Sequence, residues 1–293
     1  MKSIAIPLPE EYSHQQTISF LERSPRELLH RTEHEVVTKA MRLGTDDFVL
    51  SIHAKKNTLI IEFLKGLPNE GQKKEIVQYV REWFDLDTDI KPFYALARKD
   101  PLLQELVKKY HGYRIIGQPD LFESLIWAVL GQQINLGFAY TLKQRFVEKF
   151  GEIIDANEDQ FYLFPSFGTV ALLSPEQLLA LQFSRQKAAY TIGIANAFLE
   201  GKISKQKLSG LSLSDAKNEL IKIKGIGNWT ANYALMKTFR YPDAFPLEDA
   251  ALHNAIKNQL KLKSKPKPER LKKIFKKYKG WEAYATLYLW KSL

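Results

Sequence analysis

LIKIKGIGNWTANYALMKTFRYPDAFPLED, residues 220–249, decides how this chain is read. It opens on an apolar helix end, Leu220, Ile221 and Ile223, and tightens through Gly225-Ile226-Gly227. It restarts at once as the helical run Trp229–Met236, then passes Pro242 and Pro246 to an acidic pair, Glu248-Asp249. Helix–Gly-x-Gly–helix is a helix-hairpin-helix signature. Glycines let the backbone turn with positive φ and approach a ligand closely. The second helix then begins with free N–H groups facing outward, where an anion gains direct hydrogen bonds and the dipole. On duplex DNA that anion is one backbone phosphate, a contact that positions without reading sequence. Gly225, Gly227 and Thr230 are the expected phosphate-binding positions. The bland alternative is a tight turn between two helices. A dinucleotide fingerprint is not completed, because Thr230 stands where its last glycine belongs and no strand precedes the turn.

Working outward, the C-terminal side is strongly basic. Residues 257–279 read KNQLKLKSKPKPERLKKIFKKYK, with Glu269 the only acid. Net charge is +10, from 43 basic minus 33 acidic residues. Such a balance favours polyanions, nucleic acid first and acidic membrane second. A solvated helical face is the competing reading of the lysine run. There is no cysteine in 293 residues, which excludes disulfides, thiolate zinc, cysteine nucleophiles and an iron–sulfur cluster. The N-terminal residues carry no long apolar run, so neither a signal peptide nor an anchor is expected, and no segment approaches a membrane span.

The N-terminal side is mixed. Short helices are expected over Ile18–Arg23 and Pro25–Leu29. Strands are expected over Glu35–Leu43, Phe48–Ala54 and Thr58–Leu64, with turns at Thr45-Asp46-Asp47 and Lys55-Lys56-Asn57. Lys73–Phe84 repeats apolar residues at helical spacing. From about Asp89 the pattern is helical: Phe93–Lys109, the nearly all-apolar Leu121–Gly131, Leu136–Phe150 ending at Gly151, a helix opened by Ser174-Pro175, Arg185–Glu200, Ser214–Ile223, helices after Pro246 and Pro268, and Trp281–Leu293.

Several stretches together resemble one family. KGIGNWTANYAL followed by DAFPLEDAAL is similar to the DNA glycosylases of the helix-hairpin-helix superfamily, in particular DNA-3-methyladenine glycosylase II, the AlkA type. Asp120–Glu123 through Leu130-Gly131-Gln132-Gln133-Ile134, Tyr162–Pro165, Ser184–Gly201 and Gly280–Tyr284 to Trp290 resemble further family segments, as do Ser19–Glu22 and Phe84–Leu86. The resemblance implies an α+β protein: a mostly α-helical, two-lobed helix-hairpin-helix core behind a small N-terminal antiparallel-sheet domain. The expected division is 1–90 for the sheet domain and 113–240 for the helical domain with the hairpin at 220–240. Residues 91–112 and 241–293 form the second lobe.

The implied reaction is hydrolysis of the bond between a damaged base and deoxyribose C1′. Its oxocarbenium-like transition state calls for a carboxylate near the sugar, and Asp249 holds the family's position. Read from the residues alone, Asp249 is first a helix N-cap, a role that does not exclude the catalytic one. A base flipped from the stack meets aromatic faces, which attract a cationic alkylated purine. By position these are Trp229, Tyr233, Trp281 and Phe20, all of which also suit a core. Bifunctional relatives carry a lysine near Trp229, so the tryptophan implies a monofunctional enzyme. Gln133 takes the place of the residue that fills the vacated stack, where an apolar wedge is one known pattern. Ala250 likewise replaces a bulkier neighbour of the catalytic Asp. The resemblance implies no required cofactor, but a structural Na⁺ or K⁺ at the hairpin, on the main-chain carbonyls of Ile221, Ile223 and Ile226. The expected partner is duplex DNA containing a damaged base, met by a monomer in the cytoplasm, at the nucleoid. The alternatives are a glycosylase for oxidised or deaminated purines and a non-catalytic helix-hairpin-helix DNA-binding protein.

Overall fold

Alternation of β-branched and polar residues builds the first layer. The computed structural model describes residues 3–293. Strands β1 (Ser3–Pro7), β2 (Arg31–Glu33), β3 (Val36–Leu43), β4 (Asp46–Lys55) and β5 (Thr58–Lys65) form one antiparallel sheet in the order β1-β5-β4-β3-β2. Helices α1 (His14–Leu21) and α2 (Glu70–Phe84) cover one face, closing a core around Phe48, Leu50, Ile61, Val80 and Phe84. Ser13 caps α1, and Asn69 and Gln72 form a capping box on α2.

Phe48 to Ile52 are buried without alternation. The cause is a hairpin the sequence reading does not contain, β6 (Glu152–Ala156) and β7 (Asp159–Leu163). It lies on the sheet's other face, where Ile154, Ala156 and Phe161 meet Ala40 and Val49. Its turn runs through Asn157 and Glu158, both at positive φ. That is the backbone of a tight hairpin turn with Glu where glycine is usual, which is why its signal is weak. The edge strand β1 is likewise unannounced, ending at Pro7.

Other expectations shift for local reasons. Pro25–Leu29 is not helical: the Ser24 hydroxyl accepts from the Arg26 amide and the Glu27 carboxylate from the Leu29 amide, closing side-chain turns that compete with a helix. Phe93–Lys109 is two helices, α3 (Lys91–Ala97) and α4 (Gln104–Lys109), because Pro101 drives Asp100 out of helical backbone. The turn between β3 and β4 falls at Gly44-Thr45, so Asp46 and Asp47 are already strand.

The helical part comprises α5 (Leu121–Gly131), α6 (Leu136–Phe150), α7 (Phe167–Ala171), α8 (Pro175–Leu179), α9 (Arg185–Leu199), α10 (Lys205–Leu208), α11 (Leu213–Ile221) and α12 (Asn228–Phe239). Then follow α13 (Ala250–Gln259), α14 (Pro268–Phe275) and α15 (Glu282–Trp290). Helices α5 to α12 share one core, with α5 buried nearly all round. A second core joins α3, α4 and Tyr113 to α13, α14 and α15. The chain therefore leaves the second core at residue 115 and returns to it after the hairpin. Buried Arg114 stitches this crossing: Nε donates to the Glu11 carbonyl at 2.8 Å and a terminal nitrogen to the Thr88 carbonyl at 2.9 Å. No helix among the described residues is long and apolar enough to cross a membrane.

Candidate active site

The hairpin between α11 and α12 sets the first half of the site. Gly225 has φ +98°, and a Cβ added there would lie 2.3 Å from the Tyr190 ring. Glycine is thus demanded twice, by backbone and by packing. Gly227 differs from expectation: its φ is −89° and its ψ −179°, ordinary extended backbone. It is the N-cap of α12, no side chain caps the helix, and the space at its Cα is open. The amides of Asn228, Trp229 and Thr230 are left outside the intrahelical ladder, whose first bond is Ala231 N–H to the Gly227 carbonyl at 2.9 Å. An anion has both the donors and the room here. Thr230 contributes its amide alone, because its buried hydroxyl accepts from Gln132 Nε2 at 2.9 Å. The same Gln132 amide donates to the Gly225 carbonyl at 3.1 Å, tying the end of α5 to the hairpin. Ile223's carbonyl accepts from the Ile226 amide at 3.1 Å, and Ile221 closes α11, whose last carbonyls lie at the negative end of its dipole.

Asp249 sets the second half. It is the N-cap of α13 and 9% exposed. Its Oδ1 accepts from the Leu252 amide at 2.6 Å and from Trp290 Nε1 at 2.8 Å. Its Oδ2 accepts from Trp229 Nε1 at 3.1 Å. A carboxylate offers about four lone-pair sites, so three N–H donors fix it and leave one site, on Oδ2. Glu248 is exposed and takes no part.

A file of rings leads away from this carboxylate. Trp229 stacks on Tyr233 with centroids 5.4 Å apart and planes at 25°. The Tyr233 hydroxyl accepts from Trp127 Nε1 at 3.0 Å, and Trp127 meets Tyr140 at 4.8 Å between centroids. Burial pushes the Tyr233 phenol up from its ordinary value, so it stays protonated. Phe20 lies near this file, but its ring is already faced by Arg23, with Cζ 4.0 Å from the centroid, and by Lys237 Nζ at 4.8 Å. Gln133 is exposed at φ 56°, at the tip following α5. Beneath it, Lys187 Nζ donates to the carbonyls of Val129, Leu130 and Gln132 at 2.7–2.8 Å. Burial pulls that ammonium down to about 8.

Trp281 is not part of the group. It packs on Phe93 and Tyr284, at 6.0 and 5.6 Å, in the second core. Trp290 stands on Asp249 instead. Trp281 is the N-cap of α15 and Trp290 its last residue, nine positions on; along a helix that spacing is half a turn out of phase and about 13 Å. Only one of them can face the carboxylate. That spacing is visible in the sequence and could have flagged Trp290. Trp127 and Tyr140 carry no signal beyond apolar helix positions, although a buried indole N–H needs a partner.

The lysine-rich run forms the loop after α13 and the outer face of α14. Leu271 and Phe275 are buried, while Lys272, Lys273 and Lys276 are exposed.

Comparison with known proteins accords with this geometry. Residues 126–280 match the HhH-GPD superfamily base excision DNA repair protein family, and residues 29–125 match the 8-oxoguanine DNA glycosylase N-terminal domain. The chain is 42% identical to a DNA-3-methyladenine glycosylase of Bacillus subtilis, over 99% of this chain and 97% of that one. Its fold is that of 3-methyladenine DNA-glycosylase from Archaeoglobus fulgidus, with a TM-score of 0.84 at 21% identity, covering 98% of this chain and 97% of that one. A Clostridium acetobutylicum 8-oxoguanine glycosylase/lyase, solved with dsDNA containing cytosine opposite 8-oxoG, gives a TM-score of 0.77 at 17% identity, covering 99% and 94%. The chain belongs to the HhH-GPD superfamily of base excision DNA repair proteins.

Proposed function

We infer that this protein is a monofunctional DNA glycosylase that hydrolyses the N-glycosidic bond of alkylated purines, of the 3-methyladenine and 7-methylguanine type, in duplex DNA. The observation that carries this reading is Asp249, held by two indole N–H groups and a backbone amide at the head of a stacked Trp229–Tyr233 pair. The α12 amides hold a phosphate, which places the flipped sugar against the carboxylate. As the C1′–N bond breaks, its electron pair leaves with the base and neutralises the alkylated ring. The positive charge building on the sugar faces Asp249. Water adds to C1′ and loses its proton toward the free Oδ2 site. Trp229 occupies the place of a Schiff-base lysine, so the product is an abasic site with an intact strand.

Gln133, at an exposed tip, fills the vacated stack. Main-chain carbonyls of Ile221, at the end of α11, and of Ile223 and Ile226, in the turn after it, suit a monovalent cation that would rigidify the hairpin. The protein acts on damaged duplex DNA as a monomer. The 8-oxoguanine names among the N-terminal match and the fold neighbours favour oxidised purines as the second reading. Duplexes carrying 7-methylguanine, 3-methyladenine, hypoxanthine or 8-oxoguanine, incubated with the protein and then treated with alkali, separate the two. Release of neither methylated base would sink the alkylpurine reading. Strand cleavage before alkali would contradict the monofunctional one.

A further inference from the structure

We propose that Arg23, on the sheet domain, reads the 6-oxo edge of the flipped purine and sets the preference of the site for 6-oxopurines over 6-aminopurines. This rests on the glycosylase reading above. The ring file begins at Asp249 and runs through Trp229, Tyr233, Trp127 and Tyr140; Arg23 stands at its other end. There Nε donates to the Tyr140 hydroxyl, and Cζ lies 5.4 Å from the Tyr140 ring and 4.0 Å from the Phe20 ring. A purine bound with its sugar at Asp249 points its six-membered ring away from that carboxylate, toward the guanidinium.

The other cations in this region are already engaged. Lys143 is paired with Glu27 at 2.9 Å and Glu123 at 3.3 Å. Lys237 donates to the Ile116 carbonyl. Arg23 is exposed, has no carboxylate in ion-pair range, and its two terminal nitrogens have no hydrogen-bond partner among the described residues. Packing on Phe20 and the Tyr140 bond hold the plane, while the fork remains free. An arginine fork matches the O6 and N7 acceptors of a purine. Hypoxanthine offers both, and 7-methylguanine keeps O6. A 6-aminopurine presents N–H donors at that position, against the guanidinium's own donors.

The test is single-turnover release of hypoxanthine, 7-methylguanine and 3-methyladenine from otherwise identical duplexes by wild type, Arg23→Met and Arg23→Lys. In Arg23→Met the hypoxanthine rate, divided by the 3-methyladenine rate, falls about tenfold, the worth of one good fork contact; the 7-methylguanine ratio falls by less, because its methylated N7 leaves O6 alone to accept. Arg23→Lys keeps the charge without the fork and falls between. In the wild type, free hypoxanthine inhibits more strongly than free adenine. Ratios unchanged within twofold, or equal inhibition by the two free bases, would overturn the proposal. A wild type that releases none of the three bases would instead overturn the glycosylase reading.

Discussion

Trp290 Nε1 donates to Asp249 Oδ1 at 2.8 Å across 41 residues of chain. The bond ties the last helix to the first turn of α13, so the carboxylate is oriented from outside its own loop. Hydrogen bonds to charged groups contribute about 1.5–3 kcal/mol. Trp290→Phe keeps the ring and removes the donor. Single-turnover base release should slow by about tenfold or more, while affinity for undamaged duplex stays within twofold. An unchanged rate would show that the Leu252 amide and Trp229 suffice to hold the carboxylate.

Asp249 caps a helix and faces the site, and the two roles separate by substitution. Asn caps as well as Asp, so Asp249→Asn should melt close to wild type yet lose at least about 100-fold in rate, the scale of removing one preorganised electrostatic group. Asp249→Ala loses both, with a further stability cost of about 0.5–2 kcal/mol. Equal activity in Asp249→Asn and wild type would reduce Asp249 to a cap.

How much of this was legible follows from the kind of signal each part leaves. Gly225, Asp249, Trp229 and Tyr233 lie within 25 residues of one another, and local spacing brings them into one reading. Trp290 and Arg23 reach the same region from opposite ends of the chain, and only tertiary packing joins them. Strands β3, β4 and β5 follow from alternation, whereas β6 and β7 pair through a turn of Asn157 and Glu158, which lacks the usual glycine. Trp281 misleads because a core tryptophan and a site tryptophan stand at the two ends of α15, nine residues apart, and composition does not say which one points to the site.

The two hairpin glycines should respond in opposite ways. Gly225→Ala places a Cβ at φ +98° and on the Tyr190 ring, a strain on the order of 1–3 kcal/mol before any repacking. Its melting temperature should drop clearly. At Gly227 a Cβ meets no protein atom within 4 Å, so Gly227→Glu should melt near wild type. It sets a negative charge where the phosphate docks, so it should weaken binding to every duplex alike, damaged or not. A Gly227→Glu protein that binds DNA normally would remove the α12 amides from the interface.

The seam between the sheet domain and α5–α6 makes stability depend on pH. Glu27 sits there between Lys143 and His30. Burial alone would raise its carboxyl, but Lys143 and His30 outweigh burial and hold it at about 2. His30 is pulled down to about 4, by burial first and by Lys39 and Lys143, against the opposing pull of Glu27. Its ring also bonds the Leu21 carbonyl at 3.2 Å. A histidine with a folded value below its unfolded value of about 6.5 binds its proton more readily in the unfolded chain. Its contribution is therefore complete above about pH 6.5 and is lost as pH falls toward 4. Glu27 adds a second loss below its unfolded value of about 4.5, as pH falls toward 2. Linkage puts the histidine part on the order of 1–3 kcal/mol. Urea unfolding between pH 7 and 4.5 should show stability falling with pH, and His30→Gln should flatten that slope while leaving the decline below pH 4.5. A His30→Gln protein with the wild-type slope above pH 4.5 would assign the dependence to other groups.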